Sequence, residues 1–88
     1  MINGGVQQGL TRDQARRLVF QTVRGAAILA EEEYEKKGIT PEQLRARVTS
    51  PNGTTQAALE HLAERDWGAT IEQAVNQAVV RSRELSGM

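Results

Sequence analysis

Apolar residues recur every three or four positions along most of this sequence, which is the spacing of one face of an α-helix. The longest run starts after Thr11 and continues to about Lys37, where Gly38 is a typical helix-ending residue. About 26 residues at 1.5 Å each make a helix of roughly 40 Å, too long to be covered by the rest of one small chain. Its apolar stripe consists of Ala15, Leu18, Val19, Thr22, Val23, Ala26, Ala30 and Tyr34.

Three shorter helices are predicted after the long one, over residues 41–48, 55–65 and 71–85. No segment alternates polar and apolar residues for long enough to be a strand. The predicted fold class is therefore all-α: a small helical domain of about four helices with one long helix. The last helix has small and apolar residues on one face, at Ile71, Ala74, Val75, Ala78, Val79, Ser82 and Leu85.

Threonine followed three residues later by glutamine marks three of the predicted helix starts. In this spacing the threonine oxygen accepts from the amide of the glutamine, and the glutamine side chain accepts from the threonine amide. A fourth start, at Thr54 or Thr55, lacks such a glutamine partner. The three pairs are Thr11 with Gln14, Thr40 with Gln43, and Thr70 with Gln73.

Glycines before the long helix and at its middle bear on how it packs. Residues 1–10, MINGGVQQGL, contain three glycines and an Asn-Gly pair, which predict a turn or connector. Gly25-Ala26-Ala27, at the middle of the long helix, has little side-chain bulk and favours close approach of a second helix. The alternative is that Gly25 is only a weak point, which costs about 1 kcal/mol relative to alanine.

Composition excludes several classes of function. The balance of 11 basic and 11 acidic residues argues against nucleic acid or an anionic membrane as partner. Without cysteine there is no disulfide, iron–sulfur cluster or thiol catalysis, and His61 alone makes no multi-histidine metal site. No run approaches the roughly 20 apolar residues of a membrane span, and no signal peptide is evident, so we expect a cytoplasmic protein.

The segment from Thr49 to Thr55, TSPNGTT, is the strongest candidate for a binding site and is called the 49–55 loop below. It leads into a predicted helix, and no acidic residue lies between Thr49 and Leu59. The free amides and partial positive charge of a helix N-terminus attract carboxylates and phosphates. In the alternative interpretation, Thr54 or Thr55 only caps the helix and Pro-Asn-Gly only turns the chain.

Four segments occur in an order and spacing that resemble one family: INGGVQQGLTRDQA, QTVRGAA, RVTSPNGTTQAALEHL and AVVRSREL. Together they resemble the C-terminal domain of pyrroline-5-carboxylate reductase, the NAD(P)H-dependent enzyme that makes L-proline. The resemblance extends from Gly4 to Leu85, and its most specific part is the family signature Thr-Ser-Pro-Gly-Gly-Thr-Thr, matched by the 49–55 loop. Asn52 replaces the first glycine of the signature, and Arg24 stands where the family usually has an apolar residue.

The resemblance implies a helical domain that forms a homodimer by interlocking helices 11–37 and 71–85 with those of a second subunit. It also implies that the 49–55 loop binds the carboxylate of an imino acid or of proline, with the Thr55 hydroxyl near the ring nitrogen. No residue is assigned as catalytic with certainty, and none as a metal ligand. The implied substrate-binding residues are Ser50, Asn52, Gly53, Thr54 and Thr55. Asparagine tolerates positive φ better than other non-glycine residues, so the turn is expected to persist.

The family's NADP(H) or NAD(H) is bound mainly by a Rossmann domain that precedes the helical domain. Gly4, Gly5 and Gly9 do not form the G-x-G-x-x-G fingerprint, and no strand precedes them. We therefore expect residues 1–10 to be a connector from a missing Rossmann domain and residues 11–88 to form the dimer and one wall of the substrate site. The isolated chain is expected to be inactive and to bind no cofactor. Alternatives are a stand-alone helical dimerisation module and an enzyme for another cyclic imino acid.

The remaining conspicuous side chains have ordinary structural interpretations. The acidic run Glu31–Glu33 is interpreted as a solvated helix face with lysines one turn away, although a cation site is an alternative. His61 is expected at a surface or interface, and Trp67 as a core or interface anchor. Arg81 and Arg83 suit the negative end of the last helix dipole.

Overall fold

The computed structural model describes residues 1–87, which contain five helices and no strand. The helices are α1 (Ile2–Gln7), α2 (Arg12–Lys37), α3 (Pro41–Val48), α4 (Thr54–Glu64) and α5 (Trp67–Leu85). They belong to two compact units, Met1–Arg47 and Val48–Met88. The all-α fold class with one long helix is confirmed, with α1 in addition to the four helices expected. Over the described residues, every helix is too short or too polar to cross a membrane.

The ends of α2 are stabilised by the interactions that its sequence predicts. The amide of Gln14 donates to Thr11 Oγ1 at 3.1 Å, and the amide of Thr11 donates to Gln14 Oε1 at 3.0 Å. At the other end Gly38 has φ of 67°, a left-handed conformation that favours glycine, and its amide donates to the Tyr34 carbonyl at 2.9 Å. The predicted bounds of this helix are confirmed.

The start of α3 repeats the same arrangement. The amide of Thr40 donates to Gln43 Oε1 at 2.9 Å, and the amide of Gln43 donates to Thr40 Oγ1 at 3.2 Å. Glu33 of α2 lies 3.4 Å from Lys37 Nζ and 4.0 Å from Arg47 Nη1. One member of the acidic run, Glu33, is therefore paired with a lysine one turn away, and Arg47 of α3 lies near the same carboxylate.

Residues 1–10 are not the turn that their glycines predict, because Ile2–Gln7 form α1. A Cβ atom added to Gly5 would lie 3.2 Å from Ala15 Cβ and 3.3 Å from Leu10 Cδ1, so the absence of a side chain lets α1 pack closely on α2. Ala15 is only 1% exposed. Packing between α1 and α2 thus offsets the poor helix propensity of glycine. That these residues connect to a preceding Rossmann domain stays a prediction.

The last helix begins earlier than its sequence predicts, at Trp67 instead of about residue 71. Asp66 adopts φ of 52°, which lets the chain turn within two residues after α4. The amide of Thr70 already donates to the Asp66 carbonyl at 2.9 Å, as in a helix interior. The capping box expected at Thr70 and Gln73 is therefore wrong, because this threonine amide is no longer free to bond with a glutamine side chain.

Most large apolar side chains of both units are exposed, and Ala15 is the one buried hydrophobic residue among those described. Leu18 and Val23 of α2 are 55% and 53% exposed, so these members of its predicted apolar stripe are open to solvent. Trp67 is also exposed, so its expected place in a core of this chain is wrong, while its role as an interface anchor stays a prediction. On α5 the exposed large apolar residues include Ile71, Val75, Val79, Val80 and Leu85.

Candidate functional site

The 49–55 loop contains a hydrogen-bonded turn over residues 50–53. The amide of Gly53 donates to the Ser50 carbonyl at 3.0 Å, with Pro51 and Asn52 between them. Asn52 has φ of 59°. A proline at the second position and positive φ at the third are typical of a type II turn. The expectation that Asn52 takes positive φ is confirmed.

Gly53 is required in this turn for space. Its φ of −86° and ψ of −179° are extended values that other residues also adopt. A Cβ atom at this position would nevertheless lie 3.1 Å from the Ser50 carbonyl oxygen and 3.2 Å from Ser50 Cβ. Gly53 is also the residue that precedes the first turn of α4, so its small size sets how closely the loop approaches the helix.

Gln56 is a residue of the site that the sequence reasoning missed. Its side-chain Oε1 accepts a hydrogen bond from the amide of Asn52, which ties the turn to the first turn of α4. The Thr-Gln spacing does not reveal this bond, because Asn52 and Gln56 are four residues apart and not three. The bond differs from a capping box in that the donor amide lies one residue before the N-cap.

The N-terminus of α4 carries free hydrogen-bond donors. Over the part of the chain that the structure describes, the amides of Thr54, Thr55 and Gln56 have no acceptor, and the next amide, of Ala57, donates to Gly53 at 3.2 Å. No acidic residue occurs in the first turn. Neither threonine caps the helix, since the N-cap is Gly53 without a side-chain bond, so the capping interpretation of Thr54 or Thr55 is wrong.

The structure divides the five predicted site residues into two groups. The amide of Asn52 donates to the Gln56 side chain and that of Gly53 to the Ser50 carbonyl, so they are not free for a ligand. The amides of Thr54 and Thr55 are free, and Ser50, Thr54 and Thr55 add hydroxyl groups. The side chains of Ser50, Asn52 and Thr54 are exposed, while Thr55 is half-buried. Free amides, hydroxyl groups and a positive helix end together suit a small anion such as a carboxylate.

The other polar side chains that the sequence singles out lie at the surface. Arg24 and His61 are exposed, and Arg81 Nη1 lies 3.1 Å from Glu84 Oε2 on the surface of α5. Between residues 1 and 87, no three His, Asp or Glu side chains are grouped so as to hold a metal ion. The 49–55 loop and the first turn of α4 therefore form the candidate site.

Comparison with known proteins relates nearly the whole chain to one family. The family model described as pyrroline-5-carboxylate reductase dimerisation matches residues 1–85. The pyrroline-5-carboxylate reductase of Pseudomonas aeruginosa is 44% identical over 86 residues, which are 98% of this chain and 30% of that protein. The Pisum sativum enzyme is 45% identical over 86 residues, which are again 98% of this chain and 30% of that protein.

A solved structure shows the same similarity. The crystal structure of Plasmodium falciparum pyrroline carboxylate reductase with NADP bound has a TM-score of 0.76 and 32% sequence identity to this chain. The match covers 88% of this chain and 28% of that one. The chain thus spans less than a third of the length of these relatives.

Proposed function

Because the chain belongs to the pyrroline-5-carboxylate reductase dimerisation family, we propose that it is the dimer-forming domain of an enzyme that reduces 1-pyrroline-5-carboxylate to L-proline with NADPH or NADH. The observation that carries the proposal is the family match over residues 1–85, nearly the entire chain. The cysteine-free composition is compatible with a reducing compartment, and the proposal places the enzyme in the cytoplasm.

The partner in the proposed assembly is a second copy of this chain, bound through α2 and α5. Ile71, Val75 and Val79 follow one another at intervals of four residues, so they share one face of α5. They are 47%, 60% and 40% exposed. On α2, Gly25 has open space where its Cβ would be, which suits approach of a second helix. Burial of these faces would supply stability that a chain with so little buried apolar surface lacks.

Sedimentation velocity over a range of protein concentrations tests the assembly. A homodimer is expected, with a monomer fraction that grows on dilution. A monomer at every concentration would contradict this part of the proposal.

The proposed substrate contact is the carboxylate of 1-pyrroline-5-carboxylate or of L-proline at the N-terminus of α4. The free amides of Thr54, Thr55 and Gln56 and the positive end of the helix dipole would bind this group without a lysine or arginine. The role of these residues is to hold and orient the ligand, because a fixed carboxylate also fixes the direction of the ring. Ser50, Asn52 and Gly53 shape the turn, and the hydroxyl of Thr55 would lie near the ring nitrogen.

A second candidate function is a dimerisation module that binds no ligand. The observation that favours it is the internal use of two loop amides, those of Asn52 and Gly53, which leaves fewer donors for an anion than the sequence predicts. The two candidates differ in whether the first turn of α4 responds to a carboxylate.

Titration with L-proline, observed through backbone amide chemical shifts, separates the two candidates. The amides of residues 54–56 are expected to move on addition of proline at millimolar concentration. The chain offers two internal controls, because the amides of Gln14 and Gln43 are bonded to threonine side chains at the starts of α2 and α3 and should not move. Unchanged signals at residues 54–56, or equal movement at all three helix starts, would favour the module without a ligand.

The cofactor is proposed to bind to a part of the full-length enzyme outside this chain. The residues present do not fit a dinucleotide site, because Gly4 and Gly5 lie within α1 and the described residues include no strand to precede a phosphate-binding turn. The bound dinucleotide would supply the hydride, while this chain orients the substrate. The chain mixed with NADPH and 1-pyrroline-5-carboxylate should not oxidise the cofactor, and turnover above background would contradict the proposal.

A further inference from the structure

Two Asn-Gly pairs occur in the sequence, Asn3-Gly4 and Asn52-Gly53, and the structure places them in different surroundings. We propose that Asn52 is a site of spontaneous deamidation and that the carboxylate formed there occupies the N-terminus of α4. The first part concerns the chemistry of the loop alone. The second part deepens the proposed function, because it would place an internal anion where the substrate carboxylate is proposed to bind.

The reaction needs only water. The backbone nitrogen of Gly53 loses its proton to solvent and attacks Cγ of Asn52, the bond from Cγ to the side-chain nitrogen breaks, and ammonia leaves. The five-membered imide that forms is opened by water at one of its two carbonyls. The products are aspartate or isoaspartate at position 52, and no oxidant or reductant takes part.

The turn contains several features that permit this reaction. Asn52 is exposed, so solvent reaches its amide. The attacking nitrogen belongs to a glycine, which has no side chain to hinder the approach, and the turn itself requires that glycine because a Cβ there would lie 3.1 Å from the Ser50 carbonyl oxygen. The Gly53 nitrogen is held by one hydrogen bond, of 3.0 Å to Ser50. Because this bond must open before the nitrogen can attack, the reaction is slower by about two- to tenfold than in an unfolded chain.

Asn3-Gly4 is a matched internal comparison. Asn3 lies within α1, where the bonds from the Gly5 amide to the Met1 carbonyl at 3.1 Å and from the Gln8 amide to the Gly4 carbonyl at 3.2 Å hold the backbone around this pair in a helical conformation. The side-chain oxygen of Asn3 also accepts from Arg12 Nη1 at 3.1 Å. Ring closure at Asn3 therefore requires the helical turn to open and the Asn3 side chain to leave Arg12, even though the Gly4 nitrogen itself donates no bond, whereas the structure shows no bond to the side chain of Asn52. Asn52 is expected to react faster than Asn3 in the folded chain.

A carboxylate at position 52 would lie directly before the N-cap of α4. The free amides of Thr54, Thr55 and Gln56 and the positive end of the helix are within the next four residues. Two negative charges about 6 Å apart repel each other enough to weaken binding at least about threefold even in water-like surroundings. Deamidation would thus reduce the affinity of the loop for a second carboxylate.

Peptide mapping by mass spectrometry tests the first part. The folded chain is incubated in mildly alkaline buffer, which speeds the base-dependent attack of the backbone nitrogen, and the two Asn-Gly peptides are followed in the same sample. The mass increase for replacement of the amide by a carboxyl group is expected in the Asn52 peptide at least about threefold faster than in the Asn3 peptide. In urea the two rates should converge. Equal rates in the folded chain, or faster reaction at Asn3, would overturn the proposal.

Two variants check the structural cause of the difference. Arg12→Ala releases the Asn3 side chain and is expected to raise the rate at Asn3 while leaving Asn52 unchanged. Gln56→Ala removes the acceptor of the Asn52 amide and is expected to raise the rate at Asn52 alone. A rate at Asn52 that is insensitive to Gln56→Ala but sensitive to Arg12→Ala would overturn the assignment to the loop.

Asn52→Asp and Asn52→Gly test the second part separately from proline binding. In Asn52→Asp, the amide signals of residues 54–56 should move as the introduced carboxyl group is protonated at low pH, whereas in Asn52→Gly they should not. Unmoved signals in Asn52→Asp would overturn the second part. In the proline titration, Asn52→Asp should bind at least about threefold more weakly than Asn52→Gly. If neither variant binds proline but the pH response is present, the proposed function fails and this inference stands.

Discussion

Val75→Arg is the substitution that most directly tests whether the exposed face of α5 is a dimer interface. Val75 is 60% exposed in the single chain and shares its face with Ile71 and Val79. Complete burial of a valine side chain contributes about 1.5–3 kcal/mol, so burial of the part still exposed contributes about 1–2 kcal/mol in each subunit. In a symmetric dimer the substitution occurs twice, and the loss is about 2–4 kcal/mol.

The arginine adds a further cost, because a guanidinium group without a partner would have to be buried in the same place. The dissociation constant of the dimer is therefore expected to rise by at least about 30-fold, since each 1.4 kcal/mol is a factor of ten. Sedimentation equilibrium at several concentrations measures this change directly. Circular dichroism of the same samples reports whether the dissociated chain keeps its helices. Obligate homodimers often have no stable folded monomer.

Gln77→Arg is the matched control. It introduces the same side chain into the same helix, two residues further on and on the opposite side of the helix from Val75. Its dissociation constant is expected to stay within about threefold of the unmodified chain, because exposed substitutions change the free energy by about 0.5 kcal/mol or less. Dimers that survive Val75→Arg intact, or that are weakened equally by the two substitutions, would refute the assignment of this face.

The other predictions concern helix ends and the loop. Thr11→Ala should lower the free energy of unfolding by about 1 kcal/mol in denaturant titration, because the bond to the Gln14 amide is lost. Thr70→Ala should change it by less than about 0.5 kcal/mol, since Thr70 lies inside α5, and a large effect would restore the rejected capping box. Gly53→Ala should destabilise the chain by about 1–3 kcal/mol and abolish any proline response, because the added Cβ meets Ser50; an unchanged titration would contradict the proposed geometry.

Local signals predicted the long helix and the short α3 well. Thr11 and Thr40 each form the reciprocal bonds with a glutamine three residues later, and Gly38 takes the left-handed conformation that ends α2. These interactions are complete within a few residues of chain, so nothing distant is needed to form them. The positive φ of Asn52 was predictable for the same reason.

The same signals failed where a neighbouring element changed the balance. Thr70 and Gln73 have the spacing of a capping box, but the turn at Asp66 lets α5 start four residues earlier and consumes the amide of Thr70. Ile2–Gln7 contain two glycines and still form a helix, because Gly5 permits close packing on Ala15. Spacing alone does not show which amides are already bonded.

Local patterns were sufficient to predict an all-α chain, the bounds of its long helix and a family signature in the 49–55 loop, because periodicity, caps and turn residues act over three to seven neighbouring positions. The folded chain was needed to show that α1 is a helix, that α5 begins at Trp67, and which amides are free at the start of α4. Those outcomes depend on packing between elements, such as that of Gly5 against Ala15, and on which of several nearby acceptors a backbone amide selects, as the amide of Asn52 selects Gln56 Oε1. The pattern of residue types shows which hydrogen bonds are possible, and the folded structure shows which of them form.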